Sequence, residues 1–503
     1  MGSVVYDEYA KDRTGYFFGL SGPQLIATVA TGIPAVWALS RQQWGLLLGF
    51  LVAWALIATL VLVPIAGRTA FGWLGATLRH TAGGIAGWTR FRARATTGQS
   101  GELDEADLPG ALSAITVHDG PPQGIDQRRV AIIQHHAVRT WAVTAAITHP
   151  GLATADATER ASQGAGLTTL LNACARTELV DELLFTVRSV PDDGAERDQW
   201  MRRHQHPDAP DLARQVNQGL AQLLTRAAVR TETFVTVVVP ERRLAREARE
   251  YGRGVDGRAR ALAMVMAEVE EHLRAGLRIR DVEWLTSPQL AAAVRTGFAP
   301  GDRASIVDAL TAHAVNPNVN PDVPWAMAGP SGADLAIRHY SHDAWNSISA
   351  TIKLPARGAV IGALAPVLAP TEPEERRCLL VSFPIMAQST ADKQTASAEW
   401  AADMGEELRA KAGVRTRAND RIALARTRSL DTRLATGNAL IRPYAVATVT
   451  APKTQRIAEY GRRLDSAIRH AGFAPLRLDL AQDAAFAATA TPLGTSLLRA
   501  TES

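Results

Sequence analysis

The five lysines are the first residues to examine, because they exclude one class of enzyme. A phosphate-binding P-loop needs a lysine directly after a glycine. The residues that precede the five lysines are Ala10, Ile352, Asp392, Ala410 and Pro452, so none of these lysines can complete such a loop. The sequence therefore predicts that the chain is not a P-loop ATPase.

One glycine-rich segment has the letters of a dinucleotide-binding fingerprint. Residues 252–257 are Gly-Arg-Gly-Val-Asp-Gly. In a nucleotide-binding fold this pattern follows a strand and opens a helix whose N-terminus faces the pyrophosphate. Here it follows Arg242–Tyr251, a highly charged stretch that is predicted to be helical. We therefore interpret the segment as a break between helices and predict no nucleotide cofactor.

The histidines and one serine pattern add no catalytic group. His204, His206 and Asp208 lie in a polar segment with no third histidine or cysteine at useful spacing, which favours a solvated loop over a metal site. The segment 329–332, Gly-Pro-Ser-Gly, lacks the spacing of a nucleophile elbow. The sequence therefore predicts no metal site, no cofactor and no catalytic residue, and hence a protein that is not an enzyme.

Length and composition indicate a folded chain of several domains. It has 503 residues, enough for about three domains. Of these residues, 47 % are apolar and 21 % are charged. Cys174 and Cys378 lie too far apart in sequence to form part of a disulfide scaffold or a cysteine zinc motif. The net charge is +4, and the first hundred residues hold eight basic against three acidic residues. Because the remaining chain has no basic excess, no direct nucleic-acid binding is predicted.

The N-terminal region contains two long stretches without a charged residue. They lie between Arg13 and Arg41 and between Arg41 and Arg68. About 20 mostly apolar residues in a helix cross a bilayer, so we expect two membrane spans, at Gln24–Leu39 and Trp44–Ala66, packed antiparallel. A secretory signal and a buried helical hairpin of a soluble protein are the alternatives.

The basic residues predict the orientation of this hairpin. Five arginines follow the second span before any acidic residue, which predicts a plasma-membrane protein with two spans and both termini in the cytoplasm. Residues 69–94 fit an amphipathic stretch in the headgroup layer. The residues expected to anchor the protein at the membrane are Trp37, Arg41, Trp44, Arg68, Trp73, Arg79, Arg90, Arg92 and Arg94.

The rest of the chain alternates strand-like and helical segments. We divide it into a membrane hairpin with its basic juxtamembrane stretch (1–97), a first cytosolic domain (98–315) and a second one (316–503). The predicted fold class is α+β: a transmembrane helical hairpin followed by a body of split βαβ, ferredoxin-like units with long helices, one of them at Thr390–Arg428. Strands are expected at Ala114–His118, Val130–Ile133, Trp141–Thr148, Leu183–Val190, Phe234–Val239, Ile279–Trp284, Asn346–Leu354, Cys378–Phe383, Tyr444–Thr450 and Leu476–Leu480.

Short motifs spread over nearly the whole chain resemble those of an actinobacterial family of conjugation-element membrane proteins. That family is similar to a fusion of two type IV secretion parts. One part is the small two-span inner-membrane subunit, which is PrgI-like, and the other is the N-terminal, non-ATPase domain of the VirB-type conjugal ATPase. The resemblance lies in Arg13–Gln24, Val63–Thr69 with Trp73, Leu108–Gly110, Asp343–Pro355, Gln482–Phe486 and Pro492–Gly494.

The resemblance implies a membrane-anchored, non-catalytic scaffold of a conjugative DNA-transfer machine. Its partners would be a separate secretion ATPase, other membrane subunits of the channel and the lipid bilayer, and it would be oligomeric in the complex. The missing P-loop lysine agrees with this expectation, because in the family the motor is a separate polypeptide. Two alternatives stay open: an EccE-like membrane component of type VII secretion, and an enzyme with an unrecognised site.

Overall fold

The computed structural model describes residues 22–497, apart from 63, 66–67, 100, 152–154, 193, 228, 354–361, 373 and 387–437. The predicted helical region Thr390–Arg428 lies outside the described residues. The chain forms two compact units. Within the described residues, we call 22–87 the hairpin unit, and Trp88–Met386 together with Ile441–Leu497 the body.

The hairpin unit begins with two helices joined by a tight turn. Helix α1 is Gly22–Ser40 and helix α2 is Trp44–Leu62. The indole Nε1 of Trp54 on α2 donates to the carbonyl of Thr28 on α1 at 2.9 Å. Gly32 permits this approach, since a Cβ there would lie 3.2 Å from that indole nitrogen. The short strands β1 (Pro64–Ile65) and β2 (Arg68–Thr69) and helix α3 (Ala70–Ala86) follow.

The prediction of two membrane spans is contradicted. Among the described residues, no helix combines the length and the apolar character needed to cross a bilayer. The sequence argument counted only uncharged residues, which does not fix where a helix begins and ends; the two helices are Gly22–Ser40 and Trp44–Leu62. The predictions of a transmembrane hairpin and of a plasma-membrane protein with two spans are therefore wrong.

The body contains thirteen strands in one sheet. Long runs of β-branched residues, as in Val235–Val239, favour the extended backbone. The strands are β3 (Arg90–Arg92), β4 (Ile115–Gln123), β5 (Arg128–His135), β6 (Thr140–Thr148), β7 (Glu182–Pro191), β8 (Val229–Pro240), β9 (Asp281–Trp284), β10 (Gly332–Leu335), β11 (Tyr340–His342), β12 (Trp345–Lys353), β13 (Arg376–Pro384), β14 (Tyr444–Pro452) and β15 (Ala474–Arg477).

Two helices of the body begin at a residue that caps their N-terminus. Asp156 accepts a hydrogen bond from the Glu159 amide at 2.7 Å, and Thr286 with Gln289 forms a capping box. The helices are α4 (Ala157–Thr177), α5 (Ala195–His204), α6 (Asp211–Ala227), α7 (Glu241–Glu247), α8 (Gly254–Ala275), α9 (Ser287–Phe298), α10 (Arg303–Val315), α11 (Trp325–Ala328), α12 (Ile457–His470) and α13 (Gln482–Ala490).

The strand order corrects the predicted fold class. The order is β3-β10-β11-β12-β14-β13-β7-β8-β6-β5-β4, with β15 also paired to β12 and β9 to β6, and neighbouring strands run antiparallel. Because β13 pairs directly with β7, strands from both sides of residue 315 belong to one antiparallel sheet instead of separate ferredoxin-like units. The predicted domain boundaries themselves stay a prediction.

The sheet consists of two halves with the same topology. From the central β7–β13 pair outward, the first half runs β7-β8-β6-β5-β4 with β9 added to β6. The second half runs β13-β14-β12-β11-β10 with β15 added to β12. Strands β4 to β9 therefore correspond, one by one and in chain order, to β10 to β15. An antiparallel central pair is compatible with a local two-fold axis between the halves.

The registers of the ladders assign equivalent residues. Thr144 and Thr236 are cross-strand partners on β6 and β8, as Ser349 and Thr448 are on β12 and β14. Each pair shares a hydrogen bond between its side-chain hydroxyls, at 2.9 and 2.7 Å. By the same registers His135 on β5 corresponds to His342 on β11, and both are buried.

One core joins the two halves. Helices α9 and α13 pack on the same face of the sheet, where the rings of Phe298 and Phe486 lie 5.3 Å apart. Residues from both outer ends of the sheet contribute to this core, among them Ile115 on β4 and Ala333 on β10. On the opposite face, α12 covers β12 and β14 with Leu464 and Ile468.

Candidate functional site

Six of the predicted anchoring residues lie in the hairpin unit. Trp37 lies on the last turns of α1, half exposed, and the guanidinium carbon of Arg41 lies 5.6 Å from the centre of its ring. Trp44 begins α2 and is exposed. Arg68 belongs to β2, and Trp73 and Arg79 belong to α3. The role predicted for these residues depended on two spans, which the structure contradicts.

The other three predicted anchoring residues belong to the body. Arg90 and Arg92 lie on β3, which pairs antiparallel with β10. Arg92 approaches Asp334 at 3.5 Å. Arg94 lies 2.9 Å from Glu105 and 3.7 Å from Asp107. Residues 90–94 are therefore part of a folded edge of the sheet, where carboxylates neutralise Arg92 and Arg94, and not a free amphipathic stretch.

The motifs weighed in the sequence are structural in the described chain. His204 donates from Nδ1 to the carbonyl of Trp200 at 2.8 Å, and its ring stacks on that indole. No group of three potential metal-binding side chains occurs among the described residues. The predicted break between helices lies at the start of the glycine segment 252–257, since α8 begins at Gly254, which adopts a φ of 71° that favours glycine.

The most concentrated polar chemistry surrounds the central β7–β13 pair, and it is buried. Arg188 on β7 forms an ion pair with its cross-strand partner Glu232 at 2.6 Å. Its Nη1 donates to the carbonyls of Ala293 and Ala490, at 2.8 and 3.0 Å. Burial alone would raise the pKa of Glu232, but the charges of Arg188, Arg230 and Arg303 and the hydrogen bond from Arg188 together lower that pKa.

A second buried arginine lies beside the first. Arg376 on β13 donates from Nη1 to the carbonyl of Thr296 at 2.8 Å, and from Nη2 to the hydroxyl of Thr450 at 3.3 Å. Thr296 and Ala490 lie in the last turns of α9 and α13, where carbonyls lack partners within the helix. The two guanidiniums therefore bind the negative ends of both helices.

The opposite end of the same strand pair carries a carboxyl group in place of the guanidiniums. Glu182 begins β7 and accepts hydrogen bonds from the hydroxyls of Ser382 and, at 3.0 Å, Tyr444. Burial raises the pKa of Glu182, and the hydrogen bonds to Ser382, Ser496 and Tyr444 offset only part of that rise. Burial also raises the pKa of Tyr444.

His342 completes the interior network. Its Nδ1 donates to the carbonyl of Phe298 at 2.8 Å, and its Nε2 pairs with the hydroxyl of Ser347 at 2.8 Å. Burial, together with the charge of Arg376, lowers the pKa of this imidazole well below its usual value. The ring is therefore neutral, and it links the end of α9 to strand β12. Sequence reasoning missed this network because its members lie far apart in the chain, and no local pattern marks which polar residues of a strand become buried together.

A different kind of site lies on the surface of the body, along helix α6. Five large apolar side chains of this helix are exposed: Leu212 (72 %), Val216 (59 %), Leu220 (51 %), Leu223 (66 %) and Leu224 (41 %). Their spacing places them on one face, over about 20 Å of helix. We call this face the α6 apolar surface. The sequence predicts a helix at Asp211–Ala228, but the exposure of this apolar face depends on the tertiary fold.

The comparisons with known proteins add no assignment. No family model matches the chain, and no curated protein matches it.

Proposed function

We propose that the protein is a non-catalytic structural subunit of a type IV secretion machine for conjugative DNA transfer, and that its body docks a separate P-loop ATPase beside other subunits of the channel. The resemblance of its short motifs supports this proposal. So does the absence of a lysine that could complete a P-loop. The chain would then supply position and assembly, and its partner would supply nucleotide hydrolysis.

The interior chemistry agrees with a structural role. Arg188 and Arg376 donate hydrogen bonds to carbonyls at the ends of helices, and His342 bridges a carbonyl and a hydroxyl. All three side chains are at least 98 % buried. Groups held in this way stabilise the junction of the two halves.

The α6 apolar surface is the observation that carries the docking proposal. An isolated helix gains most of its stability from packing an apolar face, yet this face is exposed in the body. Apolar residues at intervals of three and four along a helix are the pattern that inserts into an apolar groove of a partner. We therefore assign the ATPase contact to Val216, Leu220 and Leu223.

Co-purification of the full chain with the P-loop ATPase encoded beside its gene tests the proposal. The double variant Leu220→Glu/Leu223→Glu places two carboxylates on the α6 apolar surface and should weaken binding by about 30-fold or more, as expected for central interface residues. Titration calorimetry measures the loss. The matched control is Gln215→Glu/Gln218→Glu, which adds the same charges on exposed residues outside the apolar row.

Two results would contradict the docking of the ATPase. One is a full chain that fails to bind the ATPase while circular dichroism shows it folded. The other is equal binding by both double variants, since the contact would then lie elsewhere. Nucleotide hydrolysis by the purified chain alone would contradict the non-catalytic role.

A further inference from the structure

Helix α6 projects from the body. All ten residues 211–220 are exposed, on the polar side of the helix as well as on the α6 apolar surface. Ten residues make almost three turns, so more than half of this helix is exposed all around. The helix is therefore an arm, and its direction depends on how its two ends are held.

The two ends of α6 are attached to elements of different kinds. Residues 205–210, which include Pro207 and Pro210, connect its N-terminal end to α5. A single residue separates its C-terminal end from β8, which belongs to the sheet. The direction of the arm is therefore fixed when α5 and the first residues of β8 are held together.

Glu196 joins these two elements. It lies in the first turn of α5, and its Oε2 accepts a hydrogen bond from Nη1 of Arg230, the second residue of β8, at 2.7 Å. Its Oε1 accepts a hydrogen bond from Nη2 of Arg303, which begins α10, also at 2.7 Å. One carboxylate thus binds guanidiniums from two other elements through charge-assisted hydrogen bonds, which are stronger than neutral ones.

The contact between Glu196 and Arg230 continues into the buried cationic end of the central strand pair. Nε of Arg230 lies 3.8 Å from Oε1 of Glu232, and Glu232 pairs with Arg188. The charges of this row alternate in sign, in the order Arg303, Glu196, Arg230, Glu232 and Arg188. An isolated exposed ion pair adds little stability, whereas several charges that form a network can hold a defined geometry.

Two further contacts attach α5 to α10. Arg202 lies 3.6 Å from Asp308, and the side-chain amide of Gln199 donates to the hydroxyl of Thr311. Helix α5 is therefore held against α10 by its middle and last turns, and it is held to the sheet through Glu196 in its first turn.

We infer that Glu196 is a positioning residue, which fixes the direction of the α6 arm and so presents the α6 apolar surface to a partner. Its effect on affinity rests on the proposed function, in which that surface binds the ATPase, whereas its effect on the arm does not. Without this carboxylate, the guanidiniums of Arg230 and Arg303 lose their shared partner and repel each other. The arm then takes several directions, of which only some allow docking.

Distances between two spin labels on the full chain, measured by double electron–electron resonance, test the inference. Both native cysteines are buried, so the labels attach at two introduced ones, Gln218→Cys on α6 and Ala267→Cys on α8, both at exposed positions. We expect a narrow distance distribution when Glu196 is present. After Glu196→Gln the distribution should be about twice as wide, because the arm samples several directions. High salt, which screens exposed charges, should widen the first distribution and change the second little.

The matched control is Asp198→Asn, which removes a carboxylate from the same helix. Asp198 pairs with Arg197 at 3.3 Å, within α5, so this variant should keep the narrow distribution. Titration calorimetry with the ATPase should show that affinity falls about fivefold in Glu196→Gln, the factor expected when one arm in five points in the binding direction. The affinity of Asp198→Asn should equal that of the wild type.

Equal widths of the distance distribution with and without Glu196→Gln would overturn the inference. So would an equal widening in Asp198→Asn, or an unchanged affinity of Glu196→Gln for the ATPase despite a wider distribution. A distribution that is narrow and widens in Glu196→Gln, in a chain that does not bind the ATPase, would contradict the proposed function and still support the role of Glu196 in holding the arm.

Discussion

The two ends of the β7–β13 pair occupy equivalent positions of a duplicated topology, yet they carry opposite chemistry. At one end Arg188 faces its cross-strand partner Glu232. The registers place Ser382 and Tyr444, also cross-strand partners, at the equivalent positions of the second half. The same registers make Glu182 the equivalent of Arg376. One end is therefore cationic, and the other holds a lone carboxyl group among hydroxyls.

The comparison teaches that the topology fixes where buried polar groups lie but not their charge. At the cationic end the guanidiniums face helix carbonyls, which carry partial negative charge. At the other end Glu182 faces donors only, the hydroxyls of Ser382 and Tyr444. Each end is stable because its buried donors face acceptors and its buried acceptor faces donors, as buried polar groups require.

The largest effect is expected from removing Arg188. Arg188→Met keeps much of the apolar stem but leaves Glu232 and the carbonyls of Ala293 and Ala490 without their donor. Loss of one partner of a buried ion pair costs about 3–5 kcal/mol. We expect the free energy of unfolding, measured by urea denaturation, to fall by that amount.

The surface pair of Arg202 and Asp308 provides the control. These side chains lie 3.6 Å apart and are 64 % and 65 % exposed, so Arg202→Met should change the free energy of unfolding by less than about 1 kcal/mol. Equal losses in the two variants would mean that the cationic end does not stabilise the junction of the halves.

Local patterns in the sequence predicted most strands but not their arrangement. The expected strands Trp141–Thr148 and Phe234–Val239 lie within or almost within β6 and β8. Strands β3, β10 and β11, of three or four residues, were missed because such short segments have no measurable periodicity. The pairing of β7 with β13 joins residues almost 200 positions apart, and no local signal encodes a partner.

The candidate sites show a similar limit. The absence of a P-loop lysine could be stated from the sequence alone, and the helix predicted at Asp211–Ala228 is found at Asp211–Ala227. Whether Leu220 is buried or exposed depends on what packs against it, which only the fold determines. The uncharged N-terminal stretches were over-interpreted, because a lack of charge does not fix where a helix ends.

A smaller, pH-dependent effect is expected at the opposite end of the strand pair. Because burial raises the pKa of Glu182 in the folded state, its contribution to stability is complete below its unfolded pKa, about 4.3, and is lost as the pH rises through the folded value. Glu182→Gln stays neutral and keeps an acceptor for Ser382 and Tyr444. The free energy of unfolding of the variant should equal that of the wild type near pH 4. At pH 9 it should be larger, by about 1.4 kcal/mol per unit of pKa shift.

Urea denaturation at several pH values measures this difference. The control is Glu283→Gln, because Arg128 and Gln289 lower the pKa of Glu283. That carboxylate contributes stability above its unfolded pKa, and the contribution is lost as the pH falls through the folded value, so the sign of the effect is reversed. If the free energy of unfolding depended on pH in the same way in the wild type and in Glu182→Gln, burial would not raise the pKa of Glu182, and the prediction would be wrong.

The smallest effect is expected at the equivalent hydroxyl pairs, where the two halves can be compared directly. Thr448 contacts both Ser349, at 2.7 Å, and Thr489, at 2.6 Å. The hydroxyl of Thr236 shares a hydrogen bond with that of Thr144, which also donates to the carbonyl of Pro492 at 2.8 Å. Thr448→Val therefore removes the hydroxyl partner of Ser349, whereas Thr236→Val leaves Thr144 a partner. We expect losses of about 1 and 0.5 kcal/mol in the free energy of unfolding. The reverse order would mean that α13 does not depend on the second half through this hydroxyl chain.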